Sequence, residues 1–405
     1  MSKLIQTMDD VEVGGKVVFL RLDLNVPTDN DGQVTDMTRV ARTRNTVGEL
    51  SQKGARVVIL SHFGRPKGKR DPRFSLSFLP PILRQQWGLD IAFADDCIGE
   101  AAVQAIKGLA DGEVLLLENL RFYAGEEDCT PEFTSQIGGG LGEIYINDAF
   151  SASHRVHASI EGLAHIMPSY VGRAMERELD ALESALGNPE RPVVAIVGGA
   201  KISTKLDILN NLVSKVDVLV LGGGMANTFL HAVGCDLGQS LCEKDMMEQV
   251  QKIFAKAEEE GCDILLPVDG KAAEEFKPQA IYDEVSMTAV PNDRMILDIG
   301  ANSIMSIKAV LDQCATCVWN GPLGAFEIEP FDEGTNKIAL HAATLAKKGD
   351  LKVIAGGGDT VAALAKANVI DDITYVSTAG GAFLEWLEGK TLPGVAALEM
   401  HDKAA

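Results

Sequence analysis

Four short segments in the first half of the chain carry residue types suited to holding an anion. Arg21-Leu22-Asp23-Leu24-Asn25-Val26-Pro27 alternates a carboxylate and an amide with leucines, and a two-residue period puts Asp23 and Asn25 on one side. Side by side, those groups can bind the hydroxyls of a polyol or hydroxy acid; they can equally form an Asx turn ahead of Pro27. Ser61-His62-Phe63-Gly64-Arg65-Pro66 sets His62, a glycine and Arg65 within four residues, a positive site with room for a ligand against the backbone. Glu118-Asn119-Leu120-Arg121-Phe122 is built in the same way, as is Asn147-Asp148-Ala149-Phe150, which runs on to Ser153-His154-Arg155. Arg39 falls near the start of an expected helix, where free backbone N–H groups already favour negative charge. A single arginine is ordinarily a solvated surface residue. Arg39, Arg65, Arg121 and Arg155 together, all at strand ends or helix starts of one sheet, predict a site for a small phosphorylated or carboxylated anion.

The second half is rich in glycine at the corresponding places. Gly198-Gly199-Ala200-Lys201-Ile202-Ser203-Thr204-Lys205, Gly222-Gly223-Gly224, Gly356-Gly357-Gly358-Asp359-Thr360 and Thr378-Ala379-Gly380-Gly381 each follow an apolar run. Glycine at the step from strand to helix lets phosphate approach backbone N–H groups, although each cluster alone could serve tight helix–strand packing. Four in one half favour a nucleotide site. Lys201 and Lys205 are four apart and would share one helix face, a like-charge pair that an anion between them would relieve. Asp359 beside a glycine turn suits Mg²⁺, which is usually held by one or two carboxylates plus substrate phosphates. Neither a P-loop nor a dinucleotide fingerprint occurs in a fitting context.

Strand-like apolar runs must position these loops. They fall at Val17–Leu22, Arg56–Leu60, Ile91–Phe93, Val114–Leu117 and Ile144–Asn147, and again at Val193–Val197, Val218–Leu221, Ile264–Leu266, Met295–Asp298, Cys317–Asn320, Lys352–Ile354 and Tyr375–Ser377. A helix is expected near Thr38–Gln52, and stretches of helical period separate most of the other runs. Strands apolar on both faces, alternating with helices, predict two doubly wound parallel-sheet α/β domains. The 405 residues are too many for one compact core. Arg173–Leu186 reads as one amphipathic helix stopped by Gly187-Asn188-Pro189. The expected divisions are therefore 1–172, a hinge helix at 173–187, a second domain at 188–390 and a tail at 391–405 that pattern alone does not place.

Composition narrows the function classes. A net charge of −21 repels nucleic acid and anionic membranes, so neither is an expected partner. Against that field, residues 1–172 hold 11 Arg and 6 Lys, whereas 173–405 hold 4 Arg and 16 Lys, which sets the guanidinium forks in the half that carries the expected anion site. No apolar run reaches membrane-spanning length and MSKLIQTMDD has no secretory pattern, so a cytoplasmic location is expected. Seven cysteines, including the lone C-x-x-C of Cys314 and Cys317, read as reduced core residues and not as a disulfide framework or zinc site.

The segments already quoted resemble those of the phosphoglycerate kinase family: R-L-D-L-N-V-P at 21–27, S-H-F-G-R-P at 61–66, L-E-N-L-R-F at 117–122, D-A-F-S-A-S-H-R at 148–155, V-G-G-A-K-I-S-T-K-L at 197–206, W-N-G-P-L-G-A-F-E at 319–327 and G-G-G-D-T at 356–360. The resemblance covers nearly the whole chain in order. It implies two Rossmann-like lobes joined by a hinge helix and a monomeric enzyme transferring phosphoryl between 1,3-bisphosphoglycerate and ADP, giving 3-phosphoglycerate and ATP, with Mg²⁺. It further implies that Asp23 and Asn25 hold the hydroxy-acid end of 3-phosphoglycerate, that His62, Arg65, Arg121 and Arg155 hold its phosphate, and that Arg39 lies at the reacting carboxylate. Lys201 would meet the transferring phosphoryl group, Lys205 the nucleotide phosphates and Glu327 the ribose. Asp359 would hold the magnesium, with Gly357, Gly358 and Thr360 lining the phosphate turn and helix-start N–H groups near Gly357 and Gly380 neutralising charge in transit. Two departures stand out: Ala379 replaces a usual glycine, and Ser151-Ala152-Ser153 replaces Gly-Thr-Ala.

On that reading no general base is needed, since the acceptor carboxylate is ionised at pH 7. Domain closure would bring the ligands together and exclude water. A two-lobed anion-binding protein without catalysis is the alternative; it would not need Lys201, Asp359 or a second set of glycine turns.

Overall fold

The computed structural model describes residues 5–399; residues 1–4 of the expected first domain and 400–405 of the expected tail lie outside them. The chain divides into two compact units, one running up to Asp180 and resuming at Thr391, the other Ala181–Lys390.

In the first unit, strands β1 (Val17–Arg21), β2 (Arg56–Leu60), β3 (Ile91–Ala94), β4 (Val114–Leu117), β5 (Ile144–Asn147) and β6 (Ser169–Val171) form a sheet in the order β3-β4-β2-β1-β5-β6. Every pairing is parallel, with Phe19 opposite Val58 on one side and Tyr145 on the other. Runs such as V-V-F-L-R and V-L-L-L are buried along their whole length, because helices cover both faces. The helix Thr38–Gln52 packs Val40, Val47 and Leu50 inward. Strand order reverses at β1, and in open α/β sheets ligands settle outside the carboxyl ends of strands at such a reversal. The loops leaving β1, β2, β4 and β5 there begin at residues 22, 61, 118 and 148.

The second unit repeats the plan. Strands β7 (Val193–Val197), β8 (Val218–Leu221), β9 (Asp263–Leu265), β13 (Thr316–Asn320), β14 (Lys352–Gly356) and β15 (Tyr375–Ser377) form a parallel sheet ordered β15-β14-β13-β7-β8-β9. Three strands between them, β10 (Asp269–Ala273), β11 (Tyr282–Ser286) and β12 (Met295–Ile299), make a separate antiparallel sheet in the order β11-β10-β12. The run at Met295–Asp298, expected among the strands of a parallel sheet, thus belongs elsewhere. Its partner β10 escapes a reading by hydrophobicity, because D-G-K-A-A is fully buried despite its charges. Lys271 is buried there with its ammonium on the Pro330 carbonyl at 2.9 Å, paired with Glu333 and 3.9 Å from Asp298. Burial pushes the Asp298 carboxyl up to about 8, a rise that the Gly334 N–H and Lys271 only partly offset.

The helix expected over Arg173–Leu186 is α-helical only to Leu182, and Glu183–Gly187 continues as a wider turn of π type closed by Asn188 N–H on Glu183 O at 2.8 Å. Its start is fixed on the first unit. Asp148 accepts from Met175 N–H at 2.8 Å and from the Thr46 hydroxyl, which in turn accepts from Arg173 N–H at 3.1 Å. Arg173 also bridges Glu49 and Glu176. The unplaced tail returns to the first unit: the short helix Pro393–Ala396 packs beside Ser153, whose carbonyl accepts from Gly394 N–H at 2.8 Å.

Candidate active site

In the first unit the loops beyond the sheet converge as the motifs suggested. β1 ends at Arg21, and Asp23 and Asn25 lie just beyond it, with Asn25 N–H on Asp23 Oδ1 at 3.1 Å. The Asx turn and the binding groups are therefore the same residues. Asp23 Oδ2 takes Arg39 at 2.5 Å and the Ser151 hydroxyl, so the serine that departs from the family pattern adds a donor to this acid. Asn25 Oδ1 accepts from Gly64 N–H at 2.9 Å, tying the first loop to the second. Asn119 ties the third to the second through Phe63 O at 2.7 Å, and the Arg121 guanidinium reaches Gly64 O at 2.9 Å. Arg155 is half-buried and donates to His154 Nε2 at 3.1 Å. Arg65 shares the His62 loop and is exposed.

The fields of these residues overlap. Arg121 is buried, and burial together with Arg21 and Arg155 lowers it to about 10. Burial first, then Arg21, Arg121 and Arg155, hold the His62 ring well below its usual value, and the same three arginines add to burial in bringing His157 down to about 3. Asp23 is lowered too. Burial works against its charge, but its surroundings, Arg39 and the hydrogen bonds from Ser151 and Asn25 among them, outweigh burial and keep the carboxylate below its ordinary range. The result is a cluster of cations raised against one another, a state that an anion relieves.

In the second unit the expectation for the two lysines is corrected. Lys201 and Lys205 do not share a helix face: Lys201 is extended and exposed, a tight turn spans Ile202–Thr204, and the helix begins only at Leu206. A turn of three residues per revolution shifts the register that a helical wheel assumes. Lys205 instead points inward, with its ammonium on Gly198 O at 2.7 Å, Asn320 O at 3.0 Å and Asn320 Oδ1 at 2.7 Å. Burial lowers it to about 8, with Asp359 opposing. A bound polyphosphate would restore its proton. Nucleotide binding at pH 8 should therefore take up as much as about half a proton, read by calorimetry in buffers of different ionisation enthalpy. Uptake indistinguishable from zero would mean Lys205 does not meet the phosphates.

The glycines divide into two kinds. Gly198, Gly222, Gly223 and Gly224 are interlocked with other backbone, and a Cβ on Gly198 would lie 1.8 Å from Pro322 O. These clusters serve packing between loops. Gly357, with φ +96°, caps the helix Gly358–Lys366, and Gly380 caps Gly381–Leu387; neither capping glycine closes its helix with a side chain. Gly358 has open space around it, whereas Thr360 is buried and accepts from Gly321 N–H at 2.7 Å, pinning the turn to the loop after β13. Ala379, the other departure, is buried with its N–H on Ser377 Oγ.

A cavity of about 500 Å³ lies among these loops. Gly199, Gly223 and Gly224 form one wall, Leu241, Met287 and Ile296 give it apolar surface, and Glu327 and Asp359 lie exposed on its lining. Apolar walls with a few polar groups suit a flat heterocycle bearing a charged tail. Among the described residues no group of three His, Cys, Asp or Glu side chains gathers to hold a metal. Cys314 and Cys317 are both buried free thiols, pushed up by burial.

Residues that pattern reading missed do much of the positioning. Arg21, Glu126 and Ser159 form a buried chain behind His62, and Asn320 holds Lys205 while donating to Gly356 O at 2.8 Å. Arg21 and Asn320 stand inside the quoted motifs beside the charged residues, whereas Glu126 and Ser159 lie outside every one of them.

A sequence model of the phosphoglycerate kinase family matches residues 8–390. Curated phosphoglycerate kinases of Methylorubrum populi and Rhizobium meliloti are each 57% identical to the chain, over 394 and 398 residues, covering 97% and 98% of it and 98% and 99% of their own lengths. Among solved structures, the phosphoglycerate kinase of Coxiella burnetii aligns with a TM-score of 0.91 at 40% identity, and that of Pyrococcus horikoshii with 0.76 at 29%, each covering 97% of this chain and 98% of its own. The chain belongs to the phosphoglycerate kinase family: it is a phosphotransferase with a carboxyl group as acceptor, whose small-molecule substrates include 3-phosphoglycerate and ATP or ADP. Anion binding without catalysis is not favoured.

Proposed function

We propose that, in this member of the phosphoglycerate kinase family, the first unit holds 3-phosphoglycerate and the second the nucleotide, with each group's task set by its surroundings. Asp23 and Asn25 meet the hydroxy-acid end, and His62, Arg65, Arg121 and Arg155 meet the phosphate. Arg39, drawn to Asp23, stands at the reacting carboxylate. The observation that carries this reading is the buried gathering of Arg21, Arg121 and Arg155 about His62, where burial and then the neighbouring cations lower both Arg121 and His62, a field matched to a polyanion. On the nucleotide side the apolar cavity takes the base, Glu327 the ribose hydroxyls, and Lys205 the phosphates, leaving Asn320 as it does so. Exposed Lys201 neutralises the phosphoryl group in transit, helped by N–H groups at Gly357, Gly358 and Thr360 and at the start of the Gly380-capped helix.

Asp359 is a fitting partner for Mg²⁺. It is an exposed carboxylate on the cavity lining, and among the described residues no group of three His, Cys, Asp or Glu side chains gathers there, which suits a cation that arrives with phosphate oxygens and keeps its waters. When bound, the metal would supply charge neutralisation between the β-phosphate and the incoming group. We further take the enzyme to work as a cytoplasmic monomer, a reading supported by seven cysteines that all remain free thiols.

A coupled assay for ATP formation from ADP and 1,3-bisphosphoglycerate, with and without Mg²⁺, tests the assignment. Rapid turnover that requires the metal is expected. Binding of both ligands without ATP formation would return the chain to the anion-binding alternative.

A further inference from the structure

Arg21 ends β1 with no exposed surface, and no step above uses it. Each of its three guanidinium nitrogens has a partner: Nη1 donates to Leu22 O, Nε to Ser159 Oγ at 2.9 Å, and Nη2 lies 2.8 Å from His62 Nδ1. Behind it, the Ser159 hydroxyl donates to Glu126 Oε1 at 2.6 Å and its N–H to Oε2 at 3.0 Å, so both oxygens of a fully buried carboxyl accept. Tyr145 locks the same serine through its carbonyl at 2.7 Å. A guanidinium has donors only and keeps its proton in proteins. The contact with His62 is therefore an N–H aimed at a lone pair on Nδ1, and the ring's own proton has to sit on Nε2.

We propose that Arg21 is a positioning residue for substrate recognition, fixing His62 as the neutral Nε2–H tautomer so that the ring gives the substrate phosphate one directed hydrogen bond and no charge. The proposal rests on the reading of His62 as a phosphate ligand. Arg21, Arg121 and Arg155 face the ring as cations and Asp23 as an anion, and a second ring proton would add a fourth cation to that group. The charge that binds the substrate then comes from arginines alone. Affinity for 3-phosphoglycerate does not follow a histidine titration between about pH 6 and 8, where a free imidazole would change its charge. Glu126 and Ser159 anchor the far end, balancing the buried cation and setting its plane.

Nitrogen-15 spectra of the histidine rings in the full chain, with the His62 signals assigned through His62→Asn, read the tautomer directly. Wild-type His62 should show a protonated Nε2 and a bare Nδ1 at pH 7, unchanged on acidification to pH 6. An imidazolium or an Nδ1–H ring under those conditions overturns the proposal without any variant at Arg21. Arg21→Met should release the ring to a mixture of tautomers and raise KM for 3-phosphoglycerate about tenfold, with kcat and KM for ADP little changed. Ser159→Ala, which keeps the charge of Arg21 but frees its Nε, should move the same KM by a smaller factor. Failure of the two readings is separable. If His62→Ala leaves KM for 3-phosphoglycerate unchanged, His62 is not a phosphate ligand and the substrate half of the proposal falls with it. If His62→Ala raises that KM while Arg21→Met keeps both the wild-type tautomer and KM, the role of Arg21 is refuted.

Discussion

Arg39→Ala should lower kcat about a thousandfold while KM for 3-phosphoglycerate and for ADP each change only a few-fold, the size of loss typical when one preorganised charge is removed from a transferring phosphoryl group. The geometry explains why the loss falls on turnover. Arg39 is half-buried and bonded to Asp23 at 2.5 Å, so it is held in place before any ligand arrives. On the proposed reading the substrate phosphate has other partners in Arg121 and Arg155, so binding should survive without it. Removing Arg39 also leaves Asp23 as an unscreened carboxylate close to where the acceptor carboxylate is read to lie, adding repulsion at the step that already opposes like charges. Arg39→Lys should recover part of the rate, since it restores charge but not the planar fork. Steady-state kinetics at saturating substrates decide the matter, and a kcat within tenfold of wild type would remove Arg39 from the reacting centre.

The second large effect is on stability. Gly198→Ala should destabilise the second unit by about 3 kcal/mol or more, a size reserved for substitutions that force backbone apart. The methyl group would sit 1.8 Å from Pro322 O and 3.0 Å from the Gly321 carbonyl carbon, none of which is a side chain that can swing away. Gly198 also donates to Asn320 O at 3.1 Å and accepts from Lys205 at 2.7 Å. The loops after β7 and β13 would separate, so KM for nucleotide should rise along with the fall in denaturant midpoint. Fluorescence of Trp319, buried in β13, follows the transition at the right place. An unchanged midpoint would show that the two loops are not locked as described.

Parallel sheets made the placement of the loops readable, because strands apolar on both faces mark where each one ends, and chemistry in this architecture sits past those ends. Asp23, His62, Arg121 and Arg155 came out of that rule with no knowledge of their contacts. What escaped it needed partners distant in sequence. Arg21 stands in the first motif but was given no task there; its burial depends on Ser159, 138 positions later, and on Glu126 behind that. Lys271 hid β10 for a similar reason, since the groups that satisfy its charge lie 59 and 62 positions on. The lysine pair at 201 and 205 was misread locally, where a three-residue turn took the place of a helix whose period the spacing assumed. Glycine clusters showed where backbones meet but not which meet each other and which meet a ligand. That distinction turned on whether the space beyond each glycine was filled by Pro322 or left open, as it is at Gly358.

The self-opposed arginines have a consequence for anyone breeding this protein in the laboratory. Arg121 is held down to about 10 by burial and by Arg21 and Arg155, so these cations oppose one another. Neutral replacements there relax the fold in the absence of substrate. A screen for heat resistance alone will therefore collect them, because robustness and function draw on the same residues in opposite directions. On the proposed reading, the hardiest survivors of such a screen will be the ones that hold their substrate most weakly.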